Sequence, residues 1–124
     1  MIPTPGQVPT DVVAHAIDQS TGALTFLNRL VCGRGSCHCE VDATGRFLIA
    51  TNITDGEVVV FPISGDGSLG APAERQAIPA GDGTASNAHS AVVSPENDYV
   101  AVSDLALGKV RVSPGSIRLL LETD

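Results

Sequence analysis

The sequence contains no tryptophan, and its only aromatic residues besides histidine are three phenylalanines and one tyrosine. Any core must therefore be assembled from Val, Ile, Leu and Ala. Basic residues are also scarce. Seven Lys and Arg stand against 14 Asp and Glu, giving a net charge of −7, and no run of basic residues occurs. Such a chain offers no electrostatic track for a phosphate backbone or an anionic bilayer, which excludes nucleic acid and membrane as partners. No apolar stretch approaches the length of a membrane crossing. The opening Met1-Ile2-Pro3-Thr4-Pro5-Gly6 lacks the basic and apolar regions of a secretory signal. A cytoplasmic location is expected. The three cysteines, Cys32, Cys37 and Cys39, are odd in number and crowded together, which fits reduced thiols rather than a disulfide framework.

What is present is repetition. Val41-Asp42-Ala43-Thr44-Gly45-Arg46-Phe47 aligns with Val93-Ser94-Pro95-Glu96-Asn97-Asp98-Tyr99, 52 positions on, and the alignment continues from Gly56-Glu57-Val58-Val59-Val60 to Gly108-Lys109-Val110-Arg111-Val112. A fixed period of this size marks units that bury their faces against each other. Alternating apolar residues, 13 Gly and 8 Pro make the unit strand and turn. The expected fold is all-β: a partial β-propeller of about two to two and a half four-stranded antiparallel blades. An apolar content of 43% is enough for a packed core. A closed propeller needs roughly four or more blades, so 124 residues read as a piece of a larger ring.

The pattern divides the chain as follows. Residues 1–11 form a loose segment and 12–112 the partial propeller. Within it, 12–30 is the outer half of a blade, 37–78 a whole blade, and 89–112 three strands of the next. Residues 79–88 read as a loop, and 113–124 as an irregular tail. Asp66-Gly67 between apolar runs marks a hairpin. Partial blades on both flanks leave apolar faces without neighbours, so self-association through unpaired blades is expected.

Several segments taken in order resemble one family. They are Ala16-Ile17-Asp18-Gln19-Ser20-Thr21-Gly22-Ala23-Leu24-Thr25, Cys37-His38, Val41 to Leu48, Val58-Val59-Val60-Phe61-Pro62-Ile63, Asn87-Ala88-His89-Ser90 and Ser103-Asp104-Leu105. The chain is similar over residues 12–112 to the seven-bladed-propeller lactonases, which include the propeller-type 6-phosphogluconolactonases. The resemblance implies a propeller and hydrolysis of a sugar lactone in carbohydrate metabolism, with no cofactor and a small-molecule lactone as partner. A fragment of such an enzyme is expected to be inactive alone. A muconate-lactonising isomerase on the same scaffold, or a non-catalytic binding platform, are the alternatives. The chain departs from the family at Ile53, where an aromatic is usual, at Asn87, where the first of two histidines is usual, and at Ala106-Leu107-Gly108.

Antiparallel strands send alternate turns to opposite ends of each sheet. One end gathers 31–38, Asn52 to Gly56, 79–89 and Asp104 to Gly108. On it His89 is the catalytic candidate, because a neutral imidazole can take a proton from attacking water near pH 7. The plainer alternative has His89 capping a strand. Asn87 is a candidate donor to the lactone carbonyl oxygen. Arg34 can pair with a substrate phosphate or carboxylate, and His38 lies beside it. Asn52 and Asp104 hold equivalent positions and are either turn-capping residues or substrate contacts. No metal site is expected. Cys37-His38-Cys39 is contiguous, strand alternation separates its side chains, and no second pair follows. The cysteines read instead as small buried hydrophobes.

Overall fold

The computed structural model describes residues 8–78 and 86–114. Nine antiparallel strands among them form three sheets. The first sheet pairs β1 (Pro9–Ile17) with β2 (Leu24–Arg34). The second contains β3 (Ser36–Val41), β4 (Phe47–Asn52), β5 (Glu57–Pro62) and β6 (Glu74–Ala77) in sequential order. The third contains β7 (Ala88–Val93), β8 (Tyr99–Asp104) and β9 (Lys109–Pro114). Within each sheet, strands that follow one another pair directly, as in a blade, and the all-β partial propeller is what the structure has.

The sequence repeat is a structural repeat. Asn52 pairs with Glu57 at the end of one hairpin and Asp104 with Lys109 at the end of the other. Both inner strands carry a bulge at their start, between Ser36 and His38 and between Ala88 and Ser90. Both inner hairpins are held by a side chain at the first turn position. Asp42 Oδ1 accepts from the Phe47 N–H, and Ser94 Oγ accepts from the Tyr99 N–H, each at 3.0 Å. Both turns need a left-handed residue. Gly45 supplies it at φ 73° and Asn97 at φ 61°, asparagine being the side chain that tolerates this region best.

The sheets nest face to face. Ile49, Val58 and Val60 of the second sheet meet Ala88, Ala91, Val93, Val100 and Val102 of the third. The opposite face of the second sheet, with Ala50, Val59, Phe61 and Leu69, meets Val12, Ala14, Leu30 and Cys32 of the first. Successive residues of β4 and β5 therefore serve two interfaces, and Val58, Val59, Val60 and Phe61 are all at most 1% exposed. A strand buried on both faces reads as a continuous apolar run, which is why β5 is Val-Val-Val-Phe.

Four expectations need correction. β1 begins at Pro9, inside the segment read as loose. β2 runs on through Arg34 and only Gly35 separates it from β3, so 31–38 is strand rather than loop. Gly33 lies so close to Asn52 that a Cβ there would stand 2.2 Å from its Nδ2, and Gly35 adopts φ 72°. These glycines serve close packing and a kink, not a flexible loop. Of the three cysteines only Cys32 is buried; Cys37 and Cys39 are exposed on the innermost strand. β9 runs through Pro114, two residues into the segment 113–124 read as an irregular tail. Residues 1–7, 79–85 and 115–124 lie outside the described residues.

Candidate functional site

The described parts of the loops assigned to one end of the sheets do meet there. The Ile53 N–H donates to the Gly35 carbonyl at 2.9 Å and the Leu105 N–H to the Asn87 carbonyl at 3.0 Å. Gly56 packs against Ser86, where a Cβ would lie 2.6 Å from the Ser86 carbonyl oxygen. A cleft of about 310 Å³ opens at this end on the third sheet, lined by His89, Ser103, Asp104, Leu105, Gly108, Lys109 and Val110.

His89 sits in the bulge that opens β7. Its backbone carbonyl accepts from Thr51 Oγ1 at 3.0 Å and Cys37 Sγ at 3.2 Å, both from the neighbouring sheet. The backbone is thus fixed from behind while the imidazole is exposed toward the cleft. Asp104 shares the cleft but its carboxylate faces inward. It accepts from the Ser86 hydroxyl and from the N–H groups of Asn87 at 3.1 Å and Leu107 at 3.0 Å. Burial pushes this carboxyl up, but those donors more than offset it and hold it below the usual carboxylate range.

The other candidates are placed differently. Asn87 donates both N–H groups of its carboxamide, to the carbonyls of Ile53 at 3.0 Å and Ser86 at 3.2 Å. It clasps the 52–56 turn and has no donor left for a substrate carbonyl. Asn52 is fully buried. Its Oδ1 accepts from Ser36 Oγ at 2.6 Å and Cys32 Sγ at 3.2 Å, while its Nδ2 donates to Glu57 Oε1 at 2.8 Å and the Cys32 carbonyl at 3.3 Å. Arg75 completes the network on Glu57. Arg34 donates from Nε to Asp55 Oδ1 at 2.6 Å and from its backbone N–H to Asp55 Oδ2 at 2.8 Å. His38 is half-buried on β3, its Nδ1 facing the Ala91 N–H at 3.5 Å. The structure therefore brings His89 and Asp104 together in the cleft, with Asn87 fastened to Asp104 from behind. Asn52, Arg34 and His38 do not line it.

Lys109 and Ser103 line the cleft and were not singled out from the sequence. Their signal was the repeat: Lys109 stands where Glu57 stands one unit earlier, and an inverted charge at a matched place marks a changed environment. Asp55 and Arg75, which occupy Arg34 and Glu57, were also missed, because each pairs across chain segments rather than within a motif. Among the described residues no group of three or more His, Cys, Asp or Glu side chains is placed to hold a metal ion. Nor is any helix among them long and apolar enough to cross a membrane.

Repeated antiparallel units, stacked face to face with their loops gathered at one end, define a protein built from propeller blades. The chain belongs to the seven-bladed β-propeller lactonase family, whose model matches residues 6–114. It is 38% identical over 111 residues to a 6-phosphogluconolactonase of Bacillus subtilis, covering 80% of this chain and 30% of that protein. It is 32% identical over 100 residues to a 6-phosphogluconolactonase of Formosa agariphila, covering 76% of this chain and 28% of that protein. The crystal structure of a Bacteroides fragilis protein superposes with a TM-score of 0.71 over 91% of this chain and 36% of its own length. At 22% identity that likeness speaks for the fold. The chain thus spans about 30% of the length of the curated relatives it matches.

Proposed function

We propose that this chain supplies part of a lactone hydrolase that acts on a sugar lactone of the 6-phosphogluconolactone kind. His89 is the general base that activates water. The observation that carries the reading is His89 itself: a solvent-facing imidazole on a backbone pinned by two side chains of the adjacent sheet, at the end of the sheets where the loops converge. A base placed this way has its backbone fixed while its ring nitrogens stay available to water and substrate. Water attacks the lactone carbonyl as the imidazole takes its proton; the tetrahedral intermediate then collapses, the C–O bond to the ring oxygen breaks, and the imidazolium hands the proton to that oxygen, leaving a carboxylic acid and a hydroxyl.

In this reading Asn87 and Asp104 are positioning residues that fix the start of β7, and Asn52 fixes the matching place one sheet earlier. Arg34 and His38 reach an anionic substrate only if Arg34 exchanges Asp55 for it. Lys109 is the cation already in the cleft. The shared name of both curated relatives favours hydrolysis over a muconate-lactonising isomerase and over a non-catalytic scaffold. The site functions in the cytoplasm and needs blades beyond those present here, so the chain alone is inactive.

The test is a chimera in which this chain replaces the matching segment of the B. subtilis relative. Hydrolysis of 6-phosphogluconolactone that falls by roughly a hundredfold or more on His89→Ala supports the assignment, general base catalysis contributing about that much. A folded chimera that turns over equally well with and without His89 removes it.

A further inference from the structure

We propose that β3 positions His89 by lacing the free edge of β7 with side chains, and that His38 and Glu40 are thereby positioning residues for the base. The inference rests on the reading of His89 as the general base.

β7 is the terminal strand of its sheet and pairs with β8 on one edge only. His89, Ala91 and Val93 are alternate residues, so their backbone groups share the other edge. Those groups cannot all turn to water. Ala91 is fully buried and Val93 is 8% exposed, and a buried N–H must find an acceptor. β3 belongs to a different sheet, and no backbone ladder joins it to β7. Side chains join them instead. The His89 carbonyl accepts from Cys37 Sγ, with Thr51 Oγ1 of β4 beside it. The Ala91 N–H donates to His38 Nδ1 at 3.5 Å and the Val93 N–H to Glu40 Oε2 at 3.3 Å. The line continues past the strands, where the Ala43 N–H donates to Asn97 Oδ1 at 3.4 Å. Successive bonds from Cys37 onward span 52, 53, 53 and 54 positions. The two inner strands therefore lie side by side in nearly constant register, from the bulge to the hairpin.

The bulge makes this possible. In a regular strand Cys37 and His38 would point to opposite sides. The extra residue between Ser36 and His38 re-aims one of them, so both reach the third sheet. Glu40, two residues beyond His38, returns to the same side. The lacing also acts where the site needs it. The bulge at His89 interrupts the ladder to β8, so pairing with β8 alone does not fix the base. The bonds at His89, Ala91 and Val93 restrain it from the opposite edge. In this role His38 and Glu40 act through the backbone of β7 and touch neither water nor lactone.

An imidazole that accepts at Nδ1 carries its proton on Nε2. Nitrogen-15 shifts of the His38 ring read that tautomer in the parent chain with no substitution, and the Nδ1–H form overturns the proposal. Amide hydrogen exchange reads the lacing itself. Relative to the Val59 amide, Glu40→Leu should speed exchange at Val93 by about tenfold or more, a bond to a charged acceptor being lost. Glu40→Gln keeps an acceptor oxygen and should leave Val93 slow. Should Glu40→Leu lose structure, His38→Phe and His38→Asn give the same comparison at Ala91. Exchange that ignores the loss of the acceptor overturns the proposal. Activity is read in the chimera with the B. subtilis relative. Glu40→Leu is expected to lower kcat by roughly tenfold or more at unchanged KM, Glu40→Gln to recover it, and Glu40→Leu to add nothing once His89 is alanine. Turnover that survives His89→Ala removes the base and this proposal with it. Turnover lost in His89→Ala but kept in Glu40→Leu leaves the base standing and overturns the positioning role alone.

Discussion

Gly56 and Gly108 allow the packing between sheets to be measured by itself. They hold equivalent places and nearly equal left-handed backbones, with φ of 64° and 60°. Alanine at either forces an L residue into that region, at about 1–2 kcal/mol, offset by about 0.4–1 kcal/mol from the stiffer unfolded chain. The difference lies in what the new methyl meets. At Gly56 it would stand 2.6 Å from the Ser86 carbonyl oxygen and 3.2 Å from the Ser86 Cβ. That backbone cannot easily yield, because Asn87 is clasped to Ile53 and Asp104. Relief requires separating the second and third sheets, and overpacking of this kind costs about 1–3 kcal/mol. At Gly108 the methyl meets nothing. Gly56→Ala should therefore cost about 1–3 kcal/mol more than Gly108→Ala. Urea unfolding followed by far-UV circular dichroism, at concentrations low enough to suppress association, reads this as a lower midpoint at unchanged slope. Equal midpoints for the two variants would show that the sheets do not nest as described.

Stability should also fall in acid. The carboxyls of Asp42, Asp55 and Asp104 are held below the ordinary value of 3.8, burial raising each but hydrogen-bond donors outweighing it, and the turn residue Asp18 is lowered to about 2 by the Ser20 hydroxyl. A carboxyl with a depressed folded value contributes stability above its unfolded value and loses it as pH falls through the folded one. The urea midpoint is expected to hold above about pH 4 and decline toward pH 2, with a shallower decline in Asp42→Asn; an unchanged slope in that variant counts against the assignment. Thiol labelling supplies a third check. Cys37 and Cys39 should react with an aromatic disulfide in the native chain, and Cys32 only on unfolding, since burial also raises the Cys32 thiol. Three fast thiols would contradict the packing of the first sheet on the second.

The fold was legible because its information is local and repeated. Gly45, Gly56, Asp66-Gly67 and the Val runs mark turns and buried strands by residue type alone, and the matched spacing assembles them into like units. The passage from β2 to β3 was not legible. Gly33, Arg34 and Gly35 look like a loop in one dimension, and only the closeness of Asn52 to Gly33 reveals tight packing. The candidate site was read in part. The end of the sheets on which its loops gather follows from strand alternation, and His89 follows from its place in a family-like segment. The fate of Asn52, Arg34 and Asn87 depended on Glu57, Asp55 and Ile53. Those partners are brought in by strand register and by the approach of neighbouring loops, not by any spacing that a motif records.

Register fixes one more thing. Asn52 faces Glu57 and Asp104 faces Lys109 at the same two stations of successive hairpins, yet one pair is anionic and sealed by Arg75 while the other presents an ammonium group to open space. The ladder between the strands is indifferent to which of these it carries. A fold made of duplicated hairpins can thus revise the electrical character of one rim position while its twin preserves the original wiring.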